Sequence, residues 1–445
     1  MQLDCTFRVQ IPHRPGHLAQ VVGAIAEEQG LIGDVATVAL GRDATVRDIT
    51  VEVRDLPQAE RILALMEAIP GVRVIWHRDR ALLRHEGGKL FIEAAHPVRT
   101  VQEMRDYYTP GVARVCTAIA AEPGLASRYT MIGRTVAICT NGTRVLGLGD
   151  IGPVAAMPVM EGKAVFYRQF VGISAMPILI DAKDPDHFVD TVMRISPTFG
   201  GIHLEDISAP ACFEIERRLI DALAKPVMHD DVHGTAVVTL AAVMSACRQV
   251  GIELDAATVG QIGLGAAGFG IAALMADSGI HRVLASDPSA AARDHATLNH
   301  RIVIADVDTI MAEADVVVAT TGRPGLIRPA MVRPRQVILA LSNPDPEIEP
   351  EQAIAAGAAL AADGRTVNNV LGYPGIFRGA LLAGAREINL EMKLAAARAI
   401  AELSEAMELV PDPLDPRVHD HVAQAVLDAA LRSGVAHPDR APSGL

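Results

Sequence analysis

Aromatic residues are scarce in this chain: one Trp, five Tyr and nine Phe among 445 residues. The core must therefore be aliphatic, as when helices pack on sheets of Val and Ile strands. Half of the residues are hydrophobic, yet no uninterrupted apolar run reaches the roughly eighteen residues needed to cross a bilayer, so no membrane span is expected. The opening MQLDCTFRVQ lacks a basic stretch followed by an apolar one, and the expected location is the cytoplasm. Basic runs are missing too, and the formal net charge is −13, which excludes the concentrated Lys/Arg surface that nucleic acid requires. The five cysteines, Cys5, Cys116, Cys139, Cys212 and Cys247, form no C-x-x-C pair. Zinc sites and disulfide frameworks thus lack support, and buried, reduced thiols are expected. No solenoid-length period is found, and the polar tail His437 to Leu445 is the sole low-complexity candidate.

What is present points to a globular α/β protein too long for one core, and three domains are expected. Residues 5 to 11 alternate, with Phe7, Val9 and Ile11 on one face, and the turn Arg14-Pro15-Gly16 follows. A helix carrying Leu18, Val21, Val22 and Ile25 ends near Gly30, and strands follow at 35–40 and 49–53. A second helix from Pro57 presents Ile62, Leu65, Met66 and Ile69, and Val72 to Trp76 supplies a fourth strand. The order βαββαβ is that of a ferredoxin-like unit. With its R-P-G turn, the segment 1–78 resembles the ACT family of amino-acid-sensing domains, which implies a regulatory role and a small-molecule effector. Where that family commonly carries an acidic residue before Pro-Gly, His13 and Arg14 stand here. Pairing of subunits is the alternative role for this unit. Residues 77–88, HRDRALLRHEGG, read as a linker.

Further along, strand Thr258 to Ile262 leads into Gly263-Leu264-Gly265-Ala266-Ala267-Gly268 and then a helix. This is G-x-G-x-x-G in its required context: the first Gly permits the turn, the second lets backbone approach a pyrophosphate, and the third allows close helix packing. A second strand, 283–286, ends at Asp287, where a carboxylate can bind the ribose 2′-hydroxyl, favouring NAD over NADP, or can simply cap the next helix. Strands at 315–319 and 337–341 end in Thr320-Thr321-Gly322 and Ser342-Asn343-Pro344, at the edge where doubly wound sheets bind ligands. Asn343 can reach nicotinamide or substrate there, or serve an Asn-Pro turn.

Between these regions lie Tyr107-Tyr108-Thr109-Pro110-Gly111-Val112, Glu161-Gly162-Lys163-Ala164, Leu204-Glu205-Asp206-Ile207 and His229-Asp230-Asp231-Val232-His233-Gly234-Thr235. Paired acids after apolar stretches suit a hard cation such as Mg²⁺ or Mn²⁺. Any one pair taken alone reads more simply as capping or surface charge.

The ordered set YTPGVA, TNGTRVLGLGDIGP, EGKA, LEDI, HDDVHGTA, GLGAAG, LSNP and VNNVLGYPG, from about 89 to 436, resembles the malic enzyme family. The resemblance implies a substrate and metal domain at 89–227 and a Rossmann-like NAD domain with C-terminal helices at 228–436. It also implies metal-dependent oxidation and decarboxylation of malate to pyruvate with NAD (NADP possible). Glu205, Asp206 and Asp231 would bind the metal, Lys163 and Tyr108 would form the acid–base pair, and Asp230 would support Lys163. Arg144 would grip a malate carboxylate, while Asn343 and Asn369 line the substrate and nicotinamide site beside Gly263, Gly265, Ala266, Ala267, Gly268, Asp287 and Thr320. A homodimer or larger assembly is implied as well. Two departures stand out, His203 for the common Asn before Leu-Glu-Asp and Val232 where Gln is frequent, and altered metal affinity is expected from them. A malolactic-type enzyme releasing lactate and a non-catalytic metabolite sensor are the competing readings.

Overall fold

Alternating apolar side chains build the first sheet. In a computed structural model that describes residues 3–145, 147–298, 301–437 and 441–442, strand β1 (Leu3–Pro12) turns Phe7, Val9 and Ile11 into a buried core. Strands β2 (Leu31–Leu40), β3 (Ala44–Val53) and β4 (Arg73–Asp79) complete an antiparallel sheet ordered β2-β3-β1-β4. Helices His17–Glu27 and Leu56–Glu67 add Val21, Ile25, Ile62 and Met66 to the same core. The second helix starts one residue before Pro57, because the Asp55 side chain accepts from the Gln58 amide and caps it there. Every residue of the edge strand β2 is exposed.

The segment 77–88 is not a structureless linker. Strand β4 continues to Asp79, and a helix runs over Arg80–His85 because the Asp79 carboxylate accepts from the Ala81 and Leu82 amides. The chain forms two compact units, Met1–Lys89 and Leu90–Leu445. Of the polar tail, residues 438–440 and 443–445 lie outside the described residues. Four cysteines are buried, but Cys116 is exposed, against expectation, because the helix that carries it, Val112–Ala121, has no buried residue.

The second unit holds two parallel sheets. Strands β5 (Thr135–Thr140), β6 (Ser174–Leu179), β7 (Gly201–Leu204) and β8 (Val227–His229) are ordered β6-β5-β7-β8. The larger sheet comprises β9 (Thr258–Ile262), β10 (Arg282–Ser286), β11 (Ile302–Ile304), β12 (Val316–Ala319), β13 (Val337–Ala340) and β14 (Leu360–Asp363), ordered β11-β10-β9-β12-β13-β14. That is the doubly wound order, with its switch point between β9 and β12. These strands are near-continuous Val, Ile, Leu and Ala because both of their faces are covered. Helix Thr235–Val250 is apolar all round and buried over most of its length, as a central helix should be. Among the described residues, no helix is long and apolar enough to cross a membrane.

Helix Ala266–Asp277 lies tight against the turn that precedes the central helix: a Cβ on Gly270 would sit 2.1 Å from the Val232 carbonyl oxygen. Gly270→Ala should therefore destabilise the protein by roughly 1–3 kcal/mol, from overpacking against backbone that cannot yield. Gly23→Ala is the control, since its Cβ would meet nothing within 4 Å. Thermal denaturation should show a lowered Tm for the first variant and none for the second.

Candidate active site

The carboxyl ends of β7 and β8 bring the acidic residues together. The two strands are parallel neighbours with Leu204 opposite His229, so the pairs that follow them, Glu205-Asp206 and Asp230-Asp231, emerge side by side. Glu205, Asp206 and Asp231 each offer a carboxylate oxygen within 4.8 Å of the others. The Asp206 amide donates to Asp231 Oδ2 at 2.9 Å, and Asp206 itself adopts φ +54°, a left-handed turn uncommon for a residue with a Cβ. A single π-turn, Asp230–Gly234, presents Asp230 and Asp231.

Lys163 enters from helix Pro153–Val171, where it shares a buried stripe with Met160, Ala164 and Tyr167. Its ammonium donates to Asp230 Oδ2, lies 2.9 Å from Glu205 Oε1 and sits over the Tyr373 ring at 4.7 Å. Burial opposes its charge, but Asp230 and Glu205 outweigh burial and raise its pKa well above the usual lysine value. Asn369 Nδ2 donates to the same Asp230 oxygen at 2.6 Å. Burial lifts the Asp230 carboxyl to about 6. Burial, and then Asp231, push Glu205 well above the carboxylate range. The carboxylates of Asp230, Glu205 and Asp231 thus act on one lysine, with Asp206 beside them, an excess of negative charge that a hard divalent cation would relieve. The oxygen donors and their spacing fit Mg²⁺ or Mn²⁺.

His203 entered the sequence reading only as a departure, and other groups in this cluster escaped it. His203, on β7, is buried, with Nε2 2.7 Å from Glu205 Oε2 and Nδ1 2.9 Å from the Tyr167 hydroxyl; burial and the neighbouring Lys163 charge push its pKa far down. Glu216 accepts from the His229 amide at 2.7 Å and pairs with His233 Nε2 at 3.0 Å, bracketing the turn that carries Asp230 and Asp231. Despite its burial, His233, Lys393 and His229 hold the Glu216 carboxyl at about 2. A signal for it existed: Glu216 occupies the apolar face of its helix with Cys212, Ile215 and Leu219. For Tyr167 and Tyr373 there was none, since a buried Tyr reads as core.

At the switch point, Gly263 takes φ +96°, and a Cβ on Gly268 would fall 1.9 Å from the Gly263 carbonyl oxygen, so the loop accepts only glycine at these two positions. Gly265 is exposed, at the head of the helix begun by Ala266 and Ala267. Asp287 Oδ2 accepts from the Leu264 amide at 2.8 Å, and its Oδ1 accepts from Ser289 at 2.8 Å. The Thr320 amide donates to Ile262, joining the two central strand ends. Buried Glu347 ties the neighbouring loops together by accepting from the Thr321 amide, the Thr321 hydroxyl and the Ser342 hydroxyl. Asn343 is exposed at the end of β13, and Gly147, in the loop after Arg144, approaches its carbonyl oxygen.

Arg144 is exposed beside the acidic cluster, its amide donating to the Asp206 carbonyl at 3.1 Å. Tyr108 is not brought to Lys163. It is 73% exposed, and its hydroxyl has no hydrogen-bond partner among the described residues.

This geometry, a buried lysine and clustered acids ahead of a doubly wound nucleotide sheet, agrees with comparisons to known proteins. The family description "Malic enzyme, N-terminal domain" matches residues 92–220, and "Malic enzyme, NAD binding domain" matches residues 284–432. NAD-dependent malic enzyme 1 of Bacillus subtilis is 52% identical over 427 residues, covering 96% of this chain and 97% of the relative. The chain belongs to the malic enzyme family. A second member, the NAD-dependent malic enzyme of Geobacillus stearothermophilus, is 41% identical over 99% of this chain and 97% of its own length. The crystal structure of the malic enzyme from Pyrococcus horikoshii superposes with a TM-score of 0.74 at 39% identity, covering 79% of this chain and 88% of the other. The 96% match with the first relative is too long to omit the N-terminal unit, so that malic enzyme shares the extra unit as well.

Proposed function

We propose that the protein oxidises malate with NAD and releases pyruvate and carbon dioxide, using a divalent cation held by Glu205, Asp206 and Asp231. The observation that carries this reading is the buried Lys163 ammonium bridging Asp230 and Glu205 at the rim of the acidic cluster. Asp230 and Glu205 hold Lys163 charged while their own charge is unrelieved. With that charge offset by a cation on the acids, the neutral amine is free to take the proton from the C2 hydroxyl as hydride leaves C2 for the nicotinamide, and Asp230 with Asn369 fixes its aim. A cation held by Glu205, Asp206 and Asp231 would supply positive charge to stabilise the C2 oxygen while the C4 carboxylate departs as carbon dioxide. Arg144 would hold a malate carboxylate through a charge-assisted pair. Tyr108 would return a proton to C3.

For Tyr108 to act, its exposed surroundings must be covered. Helices Val101–Tyr107, Val112–Ala121 and Leu125–Tyr129 contain no buried residue, while Phe91, Ile92 and Val101 are more than two-thirds exposed. Such a surface supports a homo-oligomer in which a second copy packs on these helices. Residues 89–227 act as the substrate and metal domain and residues 228–436 as the NAD domain. The N-terminal unit serves as an ACT-like regulatory domain; its element order and R-P-G turn support that role. The bare edge of β2 also supports subunit pairing through it.

The test is absorbance at the nicotinamide band with malate, Mg²⁺ or Mn²⁺ and each cofactor in turn, with product analysis separating pyruvate from lactate. Reduction of NAD with pyruvate formed is expected; failure of malate to reduce either cofactor would overturn the reading. The same assay checks cofactor choice. Asp287→Ser removes a carboxylate that favours a free ribose 2′-hydroxyl and repels a 2′-phosphate, so the KM for NAD should rise about tenfold, and the preference over NADP should shrink.

A further inference from the structure

Buried on β7, His203 touches both a proposed metal ligand, Glu205, and a buried tyrosine, Tyr167. A neutral imidazole has one N–H and one bare nitrogen. As a ligand to a cation Glu205 must be ionised, and its carboxylate then only accepts, so Nε2 carries the hydrogen and donates to Oε2 at 2.7 Å. Nδ1 is then the acceptor, and the Tyr167 hydroxyl donates to it at 2.9 Å. The imidazole is enclosed by aromatic rings: Phe377 stacks on it at 5.7 Å between centroids, and Tyr373 meets it edge-on at 5.3 Å. Tyr167 is itself fully buried in the same aromatic group.

We propose that His203 is the positioning residue of Glu205, and that a one-way relay from Tyr167 through His203 sets the rotation of this carboxylate. With Oε2 held by His203, Oε1 is turned to Lys163 at 2.9 Å, and each oxygen keeps a second lone pair for a cation shared with Asp206 and Asp231. Without the relay, the carboxylate swings about its terminal bond, which is a broad and weakly held torsion. The inference rests on the reading of Glu205 as a ligand.

The experiment uses full-length protein stripped of metal and titrated with Mn²⁺, with the free ion followed by electron paramagnetic resonance. Melting temperature and NADH binding serve as controls. Gln places its amide nitrogen near the position of imidazole Nε2, whereas Asn reaches only as far as Nδ1. His203→Asn should weaken Mn²⁺ binding roughly 10–100-fold, as loss of a ligand's orienting partner does, while His203→Gln should recover most of it. Tyr167→Phe removes one oxygen from the far end of the relay and should weaken binding several-fold. The pair His203→Asn with Tyr167→Phe should be no weaker than His203→Asn alone, because both act through one path. In nitrogen-15 spectra of the imidazole, Tyr167→Phe should keep the Nε2–H tautomer but shift the Nδ1 resonance, which loses its hydrogen bond. Unchanged Mn²⁺ affinity in folded His203→Asn, or equal losses in the Asn and Gln variants, overturns this inference alone. If His203→Asn does not fold, Tyr167→Phe decides, and wild-type affinity together with an unshifted Nδ1 resonance overturns it. Failure of the wild-type protein to take up Mn²⁺ overturns instead the assignment of Glu205 as a ligand.

Discussion

Replacing Lys163 by Ala should lower malate oxidation by about 10²–10⁴-fold, the usual worth of a positioned general base. NAD binding should survive the change. Lys163 lies on helix Pro153–Val171, whereas the glycine loop, Asp287 and Thr320 gather at the carboxyl ends of β9, β10 and β12. The substitution also strips from Asp230 and Glu205, both buried, the only lysine or arginine that pairs with them among the described residues, and an uncompensated buried charge costs roughly 3–5 kcal/mol. The variant should therefore melt earlier, most visibly without metal. Steady-state NADH formation, NADH titration by fluorescence and a melting curve together separate the possibilities. Loss of turnover with unchanged cofactor affinity supports the role of Lys163, and parallel loss of NADH binding counts against it.

Removing divalent cations should stop NADH formation altogether, and adding Mg²⁺ or Mn²⁺ back should restore it. The reason is charge: Glu205, Asp206 and Asp231 converge on one space, Asp230 and Glu205 share Lys163, and burial already strains the ionised form of Glu205. Saturating metal should also raise the melting temperature, since a ligand present at a hundred times its Kd adds about 2.7 kcal/mol to the folded state. Asp231→Asn should reproduce the chelated state, losing both the activity and the metal-induced rise in Tm. Full turnover in excess chelator would rule out a metal role for these carboxylates. An unchanged melting curve on adding Mn²⁺ would do the same independently of catalysis.

Much of this was legible in the residues, and what was not has identifiable causes. The glycine loop could be read because strand, turn and helix are local: Gly263 and Gly268 touch each other within six residues. Lys163 and Glu216 could be suspected from periodicity, since each sits on the buried stripe of its helix. The bond from Asn369 to Asp230 spans 139 positions, and nothing local announces it. His203 was noticed as a departure, but its partner Tyr167 belongs to another element. The helix over Arg80–His85 was missed because its charged sequence resembles a linker, and only the Asp79 cap marks where it begins. Tyr108 was expected at the reaction centre, yet its segment lies exposed on this chain.

By itself, the order of amino acids determined the elements and the donor types: apolar periods set strands and helices, glycines set the nucleotide turn, and oxygen-bearing side chains without cysteine set the kind of metal. Convergence was decided only by the tertiary structure. Parallel pairing of β7 with β8 set acids twenty-five positions apart side by side, as the bond between the Asp206 amide and Asp231 records. The pairing of distant strands reflects which buried faces fit one another, and no local pattern encodes that fit.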